Sequence, residues 1–381
     1  MLHRARFVLK NWLLHSDSSC LSGRVNPCTL LSCLRLFSSD PTAPVPFAVS
    51  YLINECGVRP ESAASAGKYI HFETPERADV VLGFFRNLGF TDSQLPKVFG
   101  RRPRLLMSDP QKHFVPRIRF LESNGFSTSD IAQILLRTPE ILHSSIENQL
   151  LPNLNFFKTV MPSDENLIRA IRRSPFLLTC ELETYVIPSI KILRESGAGE
   201  SSIVRLLLFH PRTLMTSRSQ LSQAIERVKK MGVDPRLTLF SIAVQTIRGV
   251  SKGTWDSKID AYKKWGWSNE LILKAFTKSP WCMAMSVKKL MANMDYYVNK
   301  MGFDPLVIAA RPILLAFSLD KRIMPRDAVL CVLLSKGLIE SRASVQALVL
   351  TNEGFQKKFL DPYKEQAPEL LQLFQEKLRT C

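Results

Sequence analysis

Apolar residues recur along the chain at spacings of three and four, in blocks that repeat about every 35 residues. Ile131, Ile134 and Leu135 form one such block, and this spacing places all three on one face of a helix. The same pattern occurs at Leu95, Val98 and Phe99, at Leu167, Ala170 and Ile171, at Ile203, Leu206 and Leu207, and at Ile272, Ala275 and Phe276. Each block therefore predicts an amphipathic helix with one buried stripe.

A proline and a glycine mark each block at nearly constant distances. The prolines are Pro103, Pro139, Pro175 and Pro211, each 36 residues apart, with Ile247 at the next position and then Pro280 and Pro312 at steps of 33 and 32. The glycines are Gly89, Gly125, Gly197, Gly232, Gly266, Gly302 and Gly337, with Met161 filling the one gap. Two markers that agree in period indicate an internal repeat.

The order of signals within a block predicts the structure of one repeat. Glycine closes a first helix by adopting the left-handed conformation. A capping box such as Ser127 with Asp130 then begins a second helix, and the proline ends it. The apolar pair after the proline, for example Leu177 and Leu178, is expected to fold back as a short 3₁₀ segment. Prolines such as Pro116 and Pro152 predict where the first helices begin.

A single repeat cannot bury its own apolar face, whereas stacked neighbours can. The sequence therefore predicts an all-α fold, a right-handed α-solenoid superhelix of about seven to eight three-helix repeats with a period of 32–36 residues. We expect the repeat array to span residues 61–350, with a lead-in at 38–60 and a helical cap at 351–381.

Residues 1–37 have the composition of an organellar transit peptide, because they are rich in Arg and Ser and contain a single acid, Asp17. Arg35 stands three residues before Ser38, a spacing that resembles the plant mitochondrial processing site. We therefore predict import into the mitochondrion, with the chloroplast as the alternative.

The chain is strongly basic, with a formal charge of +17. Removing residues 1–37 leaves 46 basic and 33 acidic residues, a charge of +13, which favours a polyanionic partner. The longest apolar stretch is interrupted by Arg311 and Pro312, so no membrane span is expected. The histidines and cysteines show no metal-binding or catalytic spacing, and we predict no metal, no cofactor and no enzymatic activity.

Cations accompany the proline position in every repeat. This set, called the cation ladder below, comprises Arg101, Arg102, Arg104, Arg137, Arg172, Arg173, Arg212, Arg248, Lys278 and Arg311. One cation per repeat suits a row of backbone phosphates, which fix position without reading bases. The alternative for each residue is that it stabilises the end of its own helix through the helix dipole, with no ligand involved.

The combination of phrases in this sequence resembles the plant branch of the mitochondrial transcription termination factor (mTERF) family. The motifs that support this resemblance are the repeated SPxLL and RPxLL phrases, the LGF and NGF turns, SKGTWDSK at 251–258, WGWSNELILKAFTKSP and SLDKRIMPRDAVL. Ile247, Met161 and the ARP of the last block depart from the pattern. The resemblance implies a superhelix that binds nucleic acid along a basic concave groove. It also adds Arg322 and Arg326 of the last phrase to the candidate binding residues.

The function expected from these features is nucleic-acid binding that regulates mitochondrial gene expression, through transcription termination or regulation. Intron splicing or transcript maturation on RNA is the alternative, and a helical scaffold for protein partners is the second alternative. We expect a monomer that binds double-stranded DNA, organellar RNA or both, with organellar transcription or splicing proteins as further partners.

Overall fold

A computed structural model describes residues 45–342 and 344–379. The predicted transit peptide at 1–37 lies outside these residues. The described part is helical and contains no β-strand, in agreement with the predicted all-α fold.

Twenty α-helices follow one another along the described chain. They are α1 (Phe47–Asn54), α2 (Pro60–Ala66), α3 (Glu76–Asn87), α4 (Leu95–Phe99), α5 (Val115–Ser123), α6 (Thr128–Arg137), α7 (Leu151–Val160), α8 (Asp164–Arg173), α9 (Ile187–Glu195), α10 (Glu200–Phe209), α11 (Arg218–Lys230), α12 (Leu239–Gly249), α13 (Lys252–Lys263), α14 (Asn269–Lys278), α15 (Val287–Asp295), α16 (Pro305–Ala310), α17 (Met324–Ser335), α18 (Val345–Val349), α19 (Asn352–Phe359) and α20 (Leu370–Arg379).

The described chain divides into two compact units. Residues up to Thr159 together with Ser163–Cys180 form the N-terminal unit, and Val160–Pro162 with the residues from Glu181 onward form the C-terminal unit. Helices pair as first and second members of a repeat, from α3 with α4 to α17 with α18. Each unit is therefore built from the same kind of repeat.

The glycine turns have the predicted conformation. Gly125 has φ +85° and Gly266 has φ +79°, values that a residue with a Cβ atom rarely adopts. The capping box of Ser127 and Asp130 is also formed at the start of α6. These observations confirm the register in which the repeats were aligned.

The proline positions begin short 3₁₀ segments, called plugs below. These are Pro103–Met107, Pro139–His143, Pro175–Leu178, Pro211–Leu214, Pro280–Met283 and Pro312–Ala316. The apolar pairs are buried as predicted, with Leu177 at 1% and Leu178 at 0% exposure. At Ile247 no plug forms, and α12 continues through that position to Gly249.

Pro116 and Pro152 are the second residues of α5 and α7, one position after the predicted start, and a π-helical turn that was not predicted precedes each α-helix. Ser145 caps a helical segment that starts with a π-helical turn at Ile146–Leu150, and the amide of Leu151 donates to the carbonyl of Ile146. Pro152 follows that turn, and Pro116 follows an equivalent turn at Pro110–Phe114. Proline lacks an amide hydrogen and collides with the preceding turn of an α-helix, and the wider π turn accommodates it.

A polar side chain on the first helix holds the plug of the same repeat. Asn153 Nδ2 donates to the carbonyl oxygens of Leu177 at 3.0 Å and Cys180 at 2.8 Å. In four repeats the residue in this role lies 22 positions before the plug's proline. Arg117, Ser189 and Lys258 occupy the equivalent positions and donate to Ser144, Leu214 and Met283 respectively. In the repeat of the plug Pro312–Ala316 the role falls to Asn293, 19 positions before Pro312, which donates to the carbonyls of Leu315 and Phe317 at 3.0 Å. We call these side chains plug locks.

We expect Asn153→Leu to lower the free energy of unfolding by about 2 kcal/mol, because it leaves two buried carbonyl groups without a donor. Asn155→Leu is the matched control, since Asn155 lies on the same helix and is exposed. Urea denaturation of both variants measures the difference. Equal midpoints for the two variants would show that Asn153 does not hold the plug.

Candidate nucleic-acid interface

The cation ladder lies where second helices end and plugs begin. Arg137 is the last residue of α6, Arg173 the last of α8 and Lys278 the last of α14. The exposed members are Arg101, Arg102, Arg104, Arg137, Arg172, Arg173, Arg212, Lys278 and Arg311. Arg248, at the repeat that lacks a plug, is half-buried.

Several ladder cations stabilise a neighbouring repeat. Arg101 Nη1 donates to the carbonyl of Arg137 at 2.8 Å, and Arg137 Nη1 donates to the carbonyl of Arg173 at 2.9 Å. In the C-terminal unit Lys278 Nζ donates to the carbonyl of Ala310 at 3.4 Å. Each bond reaches the negative end of the next repeat's second helix. These cations therefore do cap helices, but each caps the second helix of the next repeat and not the helix that carries the cation.

Capping occupies only part of each guanidinium group. Arg137 uses Nη1, which leaves Nε and Nη2 without an acceptor among the described residues. Because guanidinium presents five donors in a planar fork, the remaining two nitrogens retain the geometry for a phosphate. Capping and phosphate binding by the same residue are thus compatible.

Two ladder arginines have carboxylate neighbours. Arg172 Nη1 lies 3.3 Å from Asp130 Oδ1, and Arg102 Nε lies 3.7 Å from Glu140 Oε2. The pKa of Asp130 is lowered, mainly by its hydrogen bond with Ser127 and also by Arg172. These carboxylates offset part of the positive charge at Arg102 and Arg172.

Arg104 and Arg248 are partly engaged by neighbouring carbonyl groups. Arg104 Nε donates to the carbonyl of Tyr69 at 3.3 Å, and its guanidinium lies 5.8 Å from the centre of the Tyr69 ring. Arg248 Nη1 donates to the carbonyls of Arg212 and Thr213 at 3.4 and 3.2 Å. Burial lowers the pKa of Arg248.

The described residues contain no group of three or more His, Cys, Asp or Glu side chains placed to hold a metal ion. None of their helices combines the length and the apolar character needed to cross a membrane. Cys56, Cys180 and Cys282 are buried, and burial raises the pKa of each thiol to about 12.

The sequence profile of the mTERF family matches residues 82–214 and 186–356, which together cover most of the chain. The chain belongs to the mTERF family. This is a family of non-enzymatic helical-repeat proteins that bind nucleic acid, and membership suggests a transcription-related role in an organelle.

One relative of this mTERF protein is transcription termination factor MTERF8, chloroplastic, from Arabidopsis thaliana. The two chains are 26% identical over 130 residues, which are 34% of this chain and 26% of the relative. The chain thus spans about a quarter of the length of this curated relative. The match supports the plant branch of the family.

The prediction that Arg326 of this mTERF protein contacts nucleic acid is wrong in this structure. Its side chain is fully buried, and burial lowers its pKa to about 10. The guanidinium donates to the carbonyls of Ala347, Leu348 and Leu350 and to Asn352 Oδ1, at 2.7–3.0 Å. No donor remains that a phosphate in solvent can reach.

Arg322 is engaged in the same way. It donates through Nε and Nη2 to the carbonyls of Leu348, Val349 and Leu350, and it lies over the Phe317 ring at 4.1 Å. The sequence does contain a signal for Arg326, which follows the helix N-cap Ser318 by eight residues, just as the plug lock Asn153 follows Ser145. Both arginines hold the C-terminal segment of the mTERF repeats.

Proposed function

We propose that this mTERF protein binds nucleic acid through the phosphate backbone, using the exposed cations of the ladder, and so regulates transcription in an organelle. Transcription termination is the specific activity proposed, since a protein bound across many base pairs obstructs the polymerase. We propose the mitochondrion as its location from the composition of residues 1–37, with the chloroplast as the alternative that the name of the relative supports.

The observation that carries this proposal is the recurrence of exposed cations at the same position of successive repeats. Stacked helices step by roughly 8–10 Å. One strand of B-form DNA presents a phosphate about every 3.4 Å along its axis. Within each unit, one cation per repeat would therefore meet about every third phosphate. Such contacts give affinity and position but do not select a base sequence.

Salt dependence tests the proposal. We expect the logarithm of the binding constant for a DNA duplex to fall linearly with the logarithm of salt concentration, because bound phosphates release counterions. Fluorescence anisotropy between about 50 and 200 mM salt measures the slope. A DNA duplex and an RNA of equal length, measured in parallel, separate the transcription proposal from the splicing alternative. A flat response with no retention of either polymer would instead support the protein scaffold.

A further inference from the structure

The fifth repeat, α11 with α12, differs from its neighbours in two coordinated ways. Ile247 replaces the proline, so α12 continues and no plug forms. Ile225, which lies 22 positions before Ile247, replaces the polar plug lock and is buried. The plug and its lock are therefore lost together, and the last turn of α12 lies beside α11.

A solvent-open cavity of about 350 Å³ lies between these two helices in the C-terminal unit. It is lined by Gln220, Gln223, Ala224, Arg227, Ile247 and Arg248. The volume falls within the range of about 300–1,000 Å³ that ligand pockets occupy. Two guanidinium groups and two carboxamides line the cavity and no carboxylate does, which favours an anion.

The donors of this cavity are held in place by contacts outside it. The Arg227 guanidinium lies 4.9 Å from the centre of the Trp255 ring. Stacking on an aromatic face leaves the N–H groups at the edge of the guanidinium available, and these have no acceptor among the described residues. Gln220 Oε1 accepts a hydrogen bond from Thr216 at 2.7 Å, so its amide nitrogen is the group left to donate.

Arg248 belongs both to the cation ladder and to the cavity lining. Its Nη1 donates to the carbonyl of Arg212, a ladder residue, and its side chain is half-buried. A cation that has lost part of its hydration is stabilised by a nearby anion more than an exposed one is. The cavity and the ladder position of Arg212 therefore adjoin in the C-terminal unit.

We propose that this cavity binds one phosphate group of the nucleic-acid backbone, held between Arg227 and Arg248 with the amide of Gln220 as a further donor. The inference rests on the proposed function and deepens it, because it names an anchoring site in the repeat that lacks a plug. The other ladder cations supply distributed contacts, whereas in this cavity donors from two helices converge on one phosphate.

Two variants of the full chain test the site by different means. Arg227→Gln removes a charge, and Ala224→Phe fills the cavity without changing charge. Each is expected to weaken binding of a short DNA duplex about tenfold and to lower the salt slope by about one. The double variant should bind no more weakly than either single variant, because both remove the same contact. Arg218→Gln is the matched control, since Arg218 is exposed on α11 and does not line the cavity.

The outcomes separate this site from the function on which it rests. Absence of duplex binding by the wild-type chain overturns the proposed function. If wild-type binding depends steeply on salt but Arg227→Gln binds as tightly as Arg218→Gln, the cavity site alone is overturned. This comparison does not need Ala224→Phe, so it remains decisive if that variant fails to fold. Inorganic phosphate and a nucleoside monophosphate serve as competitors. If either binds the wild type but not Ala224→Phe while duplex affinity stays unchanged, the cavity is a small-molecule site and the proposal fails.

Discussion

Replacing Arg326 with leucine is expected to lower the stability of the C-terminal end of the repeat array by about 3–5 kcal/mol. The guanidinium is the shared donor for three carbonyl oxygens and the Asn352 side chain. Leucine fills part of the volume but donates to none of them. Four acceptors then lose a partner at once, which is why this substitution is expected to have the largest effect on stability.

The loss should be local, because each repeat contacts mainly its neighbours. Hydrogen exchange should therefore show faster exchange of amides in α18 and α19, while α6 and α8 keep wild-type protection. Lys321→Leu is the matched control, because Lys321 lies one turn earlier and is exposed. Wild-type exchange in α18 and α19 of Arg326→Leu would contradict the role of Arg326 in holding the C-terminal segment.

Substituting Arg137, Arg173, Arg212 and Arg311 together by alanine is expected to reduce affinity for a DNA duplex on the order of 10²–10³-fold near physiological salt. The salt slope should fall by about three to four, because each lost phosphate contact lowers it by about 0.9. Anisotropy titrations at several salt concentrations measure both quantities. Lysine at the same four positions should keep most of the slope, because charge is retained.

Helicity of the alanine variant should be unchanged, but its melting temperature should fall slightly, since Arg137 also bonds the carbonyl of Arg173. A control variant with Arg119, Lys191, Lys264 and Lys357 changed to alanine loses the same charge from exposed positions outside the ladder. If the ladder and control variants bind the duplex with equal affinity, the ladder cations only join neighbouring repeats and do not bind nucleic acid.

Short-range signals predicted the repeat well. Glycine at the turns, the Ser127 cap and the proline at each plug act within a few residues, and the structure has each of them as expected. The π turn before Pro152 was not predicted, because two structures satisfy the same local signal. A proline at the start of a helix and a proline behind a π turn both avoid an unpaired amide, and only the position of Ser145 separates them.

Interactions across longer separations were not predicted. The partner of Asn153 lies 24 residues away, and that of Arg101 lies 36 away. Arg326 was assigned to the nucleic-acid interface because it lies in the family-like phrase SLDKRIMPRDAVL. Its partners are backbone carbonyl oxygens, which every residue has, so the sequence contains no sign of them.

The sequence by itself determined the period, the helices and the turns of this protein, together with its basic charge. These properties depend on backbone preferences and on the alternation of apolar and polar residues within about one repeat. Only the tertiary structure decided which cations remain available to a ligand. That outcome depends on which acceptor groups folding brings within hydrogen-bonding distance of each side chain. Acceptors engage both Nη atoms of Arg326 and one Nη atom of Arg137, whereas no described residue accepts a hydrogen bond from the Arg227 guanidinium.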